Sequence, residues 1–390
     1  MISNYFNSQK YKDSIERINR AFSYKIKDFS EVPIILQTNS YWMTGHSPEE
    51  IPNDIYDNPK SMLDFQIKGI GEHIQKVDDD YIPYLMPWYG VGVVPNLFGS
   101  DIKFFKANDP EIFKANDPAC TSYGIKELED IRKLMIPDFT SNKLSKKVLD
   151  TISFFKRNSS IPVGITDMQS TLDCAALIVG YEKLFYWMKD NPGEINYLFE
   201  VITHTLIDWV KVQKHYTGEK INSANGLINV KPPYGIGVWF SDDDAVILSP
   251  DLYKKFIVEK YRELFGAFGS GMIHWCGNAN HQIENFLNIE PIRAIHNYIL
   301  GNVDSVIPLQ KELGKKKICL VIGDIIPVED ELEDYLRQIK DKLNPQGLVL
   351  QFTISPKLGI KKGQYVETKR DVIKSAQRIL KFFRGQGEIY

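Results

Sequence analysis

Length, composition and charge already limit the class of protein. The chain has 390 residues, of which 43% are hydrophobic and 25% charged, so it can bury a large core and does not read as disordered. A formal net charge of −3 argues against a nucleic-acid binder, which is normally basic. The sequence shows neither a membrane span nor a signal peptide, and its four cysteines are too few for a disulfide scaffold. We therefore expect a soluble cytoplasmic protein.

Short apolar runs alternate with amphipathic stretches along most of the chain. Strands are predicted at eight runs, namely 32–38, 82–88, 161–168, 226–232, 271–276, 294–300, 318–324 and 347–354. Helices are predicted between and after them, chiefly at 58–77, 171–188, 193–216, 249–268, 327–343 and 367–383. This alternation predicts an α/β fold, a (β/α)8 TIM barrel. A doubly wound open sheet is the alternative, but no glycine-rich phosphate loop follows the first strand.

The domain organisation follows from the same pattern. Residues 1–30 are predicted to form an N-terminal helical cap, and residues 31–390 a single barrel domain. The segment 89–157 is too long for a simple connection, so we expect an insertion after strand 2 that forms an excursion at the barrel mouth. It contains FKANDP twice, at 105–110 and 113–118. Two copies do not make a solenoid repeat, and we interpret them as loop sequence.

The strongest group of potential ligands lies in GMIHWCGNANH, at 271–281. Because side chains alternate along a strand, His274 and Cys276 share one face and Trp275 lies on the other. Both lie at the carboxyl end of the fifth predicted strand, where barrel enzymes place their active sites. An imidazole and a thiolate about 6–7 Å apart along a strand can share one zinc ion if other elements supply further ligands. The spacing alone also fits a small buried cysteine beside a hydrogen-bonded histidine.

Two segments, GVWFSDDDAVILSPDLYKKF and GMIHWCGNANHQIENF, resemble the uroporphyrinogen decarboxylase superfamily. Within it they look most like the corrinoid-dependent methyltransferases of the methylcobamide:coenzyme M type. The likeness extends weakly over about residues 30–384 and includes GYEKLFYWMKDNP, which is similar to the family's G-x-E…N-P stretch. The resemblance implies a (β/α)8 barrel in which His274 and Cys276 hold zinc. It also implies that a distant cysteine adds a third ligand, that the zinc activates a thiol, and that a partner protein carries the corrinoid.

The chain departs from the family pattern at the third ligand. In the methyltransferases this is a cysteine at the end of the eighth strand, in a segment like P-G-C-G, whereas this chain has LQFTISPKLG. Cys319 lies near the start of its predicted strand, at the opposite end of the barrel. Asp324, at the end of the seventh strand, is therefore our candidate for the third metal ligand.

A second departure concerns the decarboxylases of the superfamily. They carry R-Q-A-G-R after the first strand and a histidine on the eighth strand, whereas this chain has QTNSYWMTG after the first strand and no such histidine. A substrate with many carboxylates needs cations to pair with them. Decarboxylation of uroporphyrinogen is therefore not expected.

Carboxylates at strand ends are the candidate catalytic groups. Asp242, Asp243 and Asp244 follow the fourth strand, and three adjacent carboxylates repel one another, so at least one should be partnered or have a raised pKa. We select Asp242 and Asp243 as catalytic candidates, although a solvated loop leading to a helix cap at Ser249 fits the same sequence. Asp167, at the end of the third strand, is a further candidate that could instead cap the next helix.

Candidate substrate contacts come from aromatic and amide side chains near strand ends. Trp88, Tyr89 and Trp239 would form an apolar wall around a flat ligand or the corrin of a partner, and Asn278 follows the fifth strand. Ordinary packing under the loops is the alternative for any one aromatic residue.

Three functions remain open from the sequence. The first is a zinc-activated methyltransferase that moves a methyl group between a methylated corrinoid protein and a thiol or related acceptor, with coenzyme M and tetrahydrofolate both open. The second is a metal-independent decarboxylase or lyase that acts on a small carboxylated substrate through Asp167 or Asp242–Asp244. The third is a barrel that binds a corrinoid protein or small ligand without catalysis.

Overall fold

A six-stranded parallel sheet lies at the centre of the computed structural model, which describes residues 2–38, 51–104, 118–223 and 229–385. The strand order is β1-β8-β7-β6-β5-β4, and the strands are apolar runs that are almost entirely buried. Their bounds are β1 Ile34–Gln37, β4 Val238–Ser241, β5 Gly271–Cys276, β6 Ile292–Tyr298, β7 Cys319–Ile325 and β8 Leu348–Thr353.

Two further segments continue the parallel arrangement between β1 and β4. Leu85 and Val163 form an isolated parallel bridge, and Gln169 pairs with β4 in the same way. The backbone N–H of Asp80 donates to a carbonyl of β1 at 2.7 Å, which joins the first of these segments to the sheet. The arrangement is consistent with a TIM-like barrel.

One predicted strand does not appear in the six-stranded sheet. Of the run 226–232, residues 226–228 lie outside the described residues, and 229–232 take no part in the six-stranded sheet. The strand forms instead at β4, a few residues later. The reason is chemical, because Pro232 and Pro233 have no N–H to pair with a neighbouring strand, whereas each residue of Val238–Ser241 has one.

Helices surround the sheet on its outer face and fill the connections. Two short antiparallel pairs accompany them: β2 Ile102–Lys103 with β3 Ala119–Cys120, and β9 Leu358–Lys361 with β10 Gln364–Glu367. The helices in the described residues are α1 Ile2–Tyr5, α2 Gln9–Phe22, α3 Pro59–Lys76, α4 Val93–Leu97, α5 Lys143–Asn158, α6 Thr171–Val179, α7 Tyr181–Asp190, α8 Pro192–Thr217, α9 Pro250–Phe256, α10 Val258–Ala267, α11 Ile283–Leu287, α12 Ile307–Lys316, α13 Glu329–Lys342 and α14 Val372–Arg384.

Helix starts follow the sequence signals. Pro192 and Pro250 are the first residues of α8 and α9, where a missing N–H costs little, and the Ser249 side chain caps α9 by accepting the N–H of Leu252. Among the described residues, no helix combines the length and the apolar character that crossing a membrane requires.

The N-terminal segment and the long insertion both contain helices. Residues 2–22 form α1 and α2, and α5 of the insertion packs against α3 and α8. Of the duplicated FKANDP segments, only Pro118 is among the described residues. The division into a cap at 1–30 and a barrel domain at 31–390, with 89–157 as an excursion, stays a prediction.

Candidate metal centre

The carboxyl end of β5 carries the predicted pair of ligands. His274 is buried, Cys276 is exposed at the last position of the strand, and Cys276 Sγ lies 3.7 Å from His274 Nε2. Both face the interior together with the neighbouring strand β6, since the His274 ring lies 4.7 Å from the His296 ring and 5.4 Å from the Tyr298 ring. The strand alternation expected from the sequence therefore holds at this point.

Asp243 completes a group of three potential ligands. It begins the short 3-10 helix Asp243–Val246 that follows β4, and its Oδ1 accepts the N–H of Cys276 at 2.7 Å. The preceding N–H, of Asp242, donates to the carbonyl of His274 at 2.7 Å, so the turn is fixed against β5. One ligand atom each of Asp243, His274 and Cys276 lies within 4.8 Å of the other two.

The chemistry of this donor set fits zinc. Two ligands at Zn–S and Zn–N distances of about 2.3 and 2.0–2.1 Å in tetrahedral geometry lie about 3.6 Å apart, close to the 3.7 Å between Cys276 Sγ and His274 Nε2. Burial lowers the pKa of His274 to about 4, so the imidazole is neutral and able to ligate. Three protein ligands of N, S and O type with a fourth position open are characteristic of catalytic zinc.

The protein alone does not favour ionisation of the Cys276 thiol. Although the residue as a whole is exposed, desolvation by the surrounding protein raises the pKa of the thiol well above its ordinary value, and the charge of Asp243 raises it further. Asp243 is also exposed as a whole residue, and desolvation of its carboxyl by the surrounding protein likewise raises the pKa of that group. A divalent cation reverses this situation because it stabilises thiolate and carboxylate together.

Asp173 holds the turn that carries Asp243. Its two carboxylate oxygens accept the N–H groups of Asp243 and Asp244, each at 3.0 Å, from the first turn of α6. Desolvation raises the pKa of Asp173 well above its ordinary value, and the charge of Asp242 adds to this. Sequence reasoning missed Asp173, because its role depends on the contact between α6 and the turn after β4.

Asp242, predicted as catalytic, is fully buried. It accepts hydrogen bonds from the hydroxyls of Ser170 at 2.9 Å and Tyr253 at 2.6 Å, and burial raises its pKa to about 6. These contacts link β4 to α6 and α9 and do not bring the carboxylate to the group of ligands. Of the three consecutive residues Asp242–Asp244, Asp243 alone belongs to that group. The carboxyl of Asp244 is buried, and burial raises its pKa to about 7.

Asp167 does not cap the next helix. The N-cap of α6 is Ser170, whose Oγ accepts the N–H of Asp173 at 3.0 Å. Asp167 instead accepts the N–H of Met168 and the side-chain amide of Gln169, at 3.0 and 2.9 Å. Burial raises its pKa to about 6, so it remains a candidate for a catalytic or substrate-binding group.

The expected third ligand, Asp324, lies outside the group of ligands. A Cβ at Gly323 would lie 2.5 Å from His296 Nε2 and 3.1 Å from Gln351 Oε1, so position 323 is the one that faces the interior. Alternation turns Asp324 the other way, where it accepts the hydroxyl of Tyr335 on α13 at 3.0 Å and the N–H of Gly301 at 2.7 Å. Asp324 therefore lies outside the group of potential metal ligands, which Asp243 completes.

Of the predicted substrate contacts, one lies beside the ligands. The Trp239 ring is 6.3 Å from the His274 ring, edge to face. Trp88 is buried, and the hydroxyl groups of Tyr89 and Thr151 on α5 form a hydrogen bond of 2.8 Å. Asn278 is exposed, and its side-chain oxygen accepts the N–H of Asn280. A role in binding substrate stays a prediction for all four residues.

Two features near the centre are not among the candidate site residues predicted from the sequence. The first is a buried polar pair below the ligands, where His296 Nε2 and Gln351 Oε1 lie 3.1 Å apart. The second is Tyr365, which is half exposed on the hairpin after β8; desolvation raises the pKa of its hydroxyl to about 12, helped by the charges of Cys276 and Asp324. Only the alternation of β6 and the hairpin signal Lys362-Gly363 could have pointed to them in the sequence.

Comparison with known proteins identifies the fold and no family. No family model matches the chain, and no curated protein matches it in sequence. Among solved structures, it is similar to a methyltransferase from Methanosarcina mazei, with a TM-score of 0.65 at 14% identity, over 95% of this chain and 98% of that chain. At this identity the likeness establishes a shared fold across nearly the whole of both chains, and the activity has to be argued from the site.

Proposed function

We propose that this protein is a zinc-dependent methyltransferase that moves a methyl group from a methylated corrinoid, carried by a partner protein, to a thiol. The observation that carries the proposal is the group of Asp243, His274 and Cys276, whose ligand atoms lie within 4.8 Å of one another at strand ends. The shared fold with a methyltransferase supports it. The proposal includes a (β/α)8 barrel of the uroporphyrinogen decarboxylase superfamily and a cytoplasmic location.

The reaction requires a thiolate next to an open edge of the site. Zinc, when bound, supplies a Lewis acid that stabilises an acceptor thiolate at neutral pH. Cys276, His274 and Asp243 would hold it, while the N–H of Cys276 fixes the orientation of the Asp243 carboxylate. The exposure of Cys276 leaves this end of the strand accessible to both reactants.

The transfer balances without a further reactant. The acceptor thiol loses its proton to solvent, its sulfur forms a bond to the methyl carbon, and the cobalt–carbon bond breaks. The electron pair of that bond stays on cobalt, which becomes Co(I), and the thioether leaves. The protein's contribution is to position sulfur and methyl group and to lower the cost of the thiolate.

Elemental analysis of protein purified without chelator tests the proposal. We expect about one zinc per chain in the parent, and loss of the metal in Cys276→Ser, His274→Ala and Asp243→Ala, because each removes one of three ligands. Cys120→Ser is the matched control, since this half-buried cysteine lies on β3, outside the group of ligands. Loss of methylcobalamin absorbance in the presence of a thiol then reports transfer.

Two results would contradict the proposal. A parent protein without zinc that also fails to take up added zinc would remove its basis. Zinc retained equally by all three ligand variants would place the metal elsewhere. An activity that survives without metal and collapses in Asp167→Asn would instead favour the decarboxylase or lyase reading.

A further inference from the structure

A cavity of about 840 Å³ lies at the amino ends of β7 and β8. Its walls are α12, the last residue of α13, the turn after α2 and the loop before β8. Lys317 and Gln346 line it two residues before β7 and β8 begin, whereas the metal ligand Cys276 is the last residue of β5. Because the strands are parallel, the cavity and the candidate metal centre lie at opposite ends of the sheet.

The side chains that line this cavity carry positive charge. Four of the described lining residues are lysines and none is an aspartate or glutamate; the lysines are Lys311, Lys315, Lys317 and Lys342. Lys315 pairs with Glu312 at 2.6 Å, and Lys342 pairs with Asp304 at 2.7 Å. Within the described part of the chain, no carboxylate lies at ion-pair distance from Lys311 or Lys317. Two ammonium groups thus remain without a counterion, in a chain whose formal net charge is −3.

Helix ends explain only part of this arrangement. Lys315 and Lys342 lie in the last turns of α12 and α13, where the helix dipole favours a cation. Lys311 lies four residues before Lys315, on the same face of α12, and like charges at that spacing repel each other. Lys317 follows α12 in left-handed backbone, with a φ of 55°, which glycine adopts more readily than lysine. A bound anion would offset the repulsion between the lysines.

Hydrogen bonds that do not involve the lysines hold the walls of the cavity. Gln310 of α12 donates from Nε2 to the carbonyl of Asn344 at 2.8 Å, and its Oε1 accepts the N–H of Asn344 at 2.9 Å. The Tyr24 hydroxyl donates to the carbonyl of Ile318 at 2.6 Å. A Cβ at Gly314 would meet no atom within 4 Å, so the face of α12 is open at that position. The cavity is therefore formed before any ligand binds, which lowers the cost of binding one.

We propose that this cavity binds a soluble phosphate compound that carries at least two negative charges, such as a di- or triphosphate. Each lysine ammonium offers three N–H donors, so several lysines around one cavity can contact different oxygens of such a compound. The volume of about 840 Å³ lies within the range of about 300–1,000 Å³ that is typical of small-molecule sites. The proposal does not depend on the methyltransferase function, because the two sites share no residue.

Calorimetric titration of inorganic tripolyphosphate into the full chain at low ionic strength tests the proposal. We expect one tripolyphosphate per chain with a Kd of about 10–100 µM, and about tenfold weaker binding in Lys311→Gln and in Lys317→Gln, since each variant loses one uncompensated charge. Binding should weaken in about 0.5 M NaCl because salt screens these charges. Lys254→Gln is the control and should bind as the parent does, because Lys254 is an exposed lysine in the last turn of α9, outside the cavity.

Two variants at Gly314 change the charge of the cavity without removing a lysine. Gly314→Asp and Gly314→Asn introduce side chains of nearly the same shape at a position with open space. The aspartate variant adds a negative charge and should weaken tripolyphosphate binding at least about tenfold, whereas the asparagine variant should stay within about threefold of the parent. Equal binding by the two variants would contradict a site in this cavity.

The remaining outcomes decide the proposal. A parent protein that does not bind tripolyphosphate overturns it, and so does equal binding by the parent, Lys311→Gln and Lys317→Gln. Binding to phosphatidylcholine vesicles that contain a phosphoinositide, without binding to tripolyphosphate, also overturns it, because a membrane surface and not the cavity would then be recognised. His274→Ala, which lacks a candidate metal ligand, should bind tripolyphosphate as the parent does; heat that disappears in this variant would come from removal of a metal and would contradict the proposal.

Discussion

Asp173 and Asp243 are joined by a hydrogen bond of 3.0 Å, in which the backbone N–H of Asp243 donates to the carboxylate of Asp173. The second oxygen of Asp173 takes the N–H of Asp244 at the same distance. One buried acid thereby fixes two successive peptide groups, and with them the direction of the Asp243 side chain. A metal ligand on a turn has no strand ladder to hold it, so this contact replaces one.

Asp173→Asn should therefore weaken zinc binding without abolishing it. Asparagine offers one acceptor oxygen, so one of the two N–H groups loses its partner and the turn is less well held. We expect zinc affinity to fall about 10–100-fold, as for other residues that orient a ligand, with the stoichiometry restored at saturating zinc. A competition titration against a chromophoric chelator measures this.

Asp190→Asn is the control for that variant, because Asp190 is exposed at the end of α7. Its zinc affinity should equal that of the parent. If Asp173→Asn also bound zinc with the affinity of the parent, the turn would be held by other contacts and the positioning role of Asp173 would be wrong.

Gly323 leaves room for the polar pair beneath the ligands. A Cβ there would lie 2.5 Å from His296 Nε2 and 3.0 Å from Tyr298 Cε1, both on a buried neighbouring strand. Gly323→Ala should therefore lower the free energy of unfolding by about 1–3 kcal/mol through overpacking. Urea denaturation measures the change, and loss of zinc affinity should accompany it because Tyr298 lies beside His274.

Gly266→Ala provides a control of opposite sign. Gly266 lies inside α10, and a Cβ there meets nothing within 4 Å. Alanine is favoured over glycine in a helix by about 0.5–1 kcal/mol, so this variant should be more stable than the parent. Equal effects of the two substitutions would show that the interior at Gly323 can rearrange to accept a methyl group.

Sequence reasoning brought His274 and Cys276 together on β5 but named Asp243 only as a catalytic candidate and did not place it beside them. His274 and Cys276 are two positions apart on one strand, so alternation alone places them together. Asp243 reaches them only through the register of β4 against β5, in which Ser241 is opposite His274. Asp324 is a candidate from the sequence because it lies at a strand end. Successive side chains of a strand point to opposite faces, however, and it is Gly323 that faces the interior, so Asp324 faces away from it.

For the fold, too, the sequence predicts the single strands better than the pairing between them. Five of the six sheet strands coincide with predicted apolar runs, because burial on both faces leaves a continuous hydrophobic signature. The runs at 82–88 and 161–168 are joined to each other by a single isolated bridge, between Leu85 and Val163, instead of a full ladder. Pairing between strands depends on contacts distant in sequence, and no local pattern encodes it.

Lys214 should make the free energy of unfolding depend on pH in a range that one substitution can test. The side chain is buried in α8, its ammonium donates to the carbonyl of Ser223, and burial lowers its pKa to about 8. Between about pH 8 and 10.5 the unfolded chain holds a proton that the folded protein has released, so this group makes the free energy of unfolding rise with pH in that window. Below pH 8 its contribution is constant.

Lys214→Met removes that rise. The difference in unfolding free energy between parent and variant should grow in favour of the parent from about pH 8 to 10, measured by chemical denaturation at each pH. Lys211→Met is the control, because Lys211 is exposed one turn earlier on the same helix. A parent and Lys214→Met that differ by a constant amount at all pH values would contradict a lowered pKa for Lys214.

Helices α2 and α14, which lie near opposite ends of the chain, both reach the buried carboxylate of Asp80. Asp80 is 1% exposed and accepts Arg384 of α14 at 2.6 Å, Arg17 of α2 at 3.2 Å and the N–H of Ile34 at 2.9 Å. Arg384 is itself only 7% exposed, so its charge depends on this partner. Asp80→Asn leaves that charge buried without a counterion, and we expect a loss of about 3–5 kcal/mol in the free energy of unfolding.

Asp78→Asn should cost much less, about 0–1 kcal/mol, because Asp78 pairs with Lys10 at the surface, where solvent screens the interaction. Hydrogen exchange separates the mechanism from a general loss of stability, since release of Arg384 should speed exchange in α14 before it does so in β5–β8. If both variants lost the same small amount, the buried guanidinium would have found other partners, such as the carbonyl of Asp78 that it already contacts at 2.7 Å. A large loss confined to Asp80→Asn, with early exchange in α14, would show that this one carboxylate ties the last helix to the first strand.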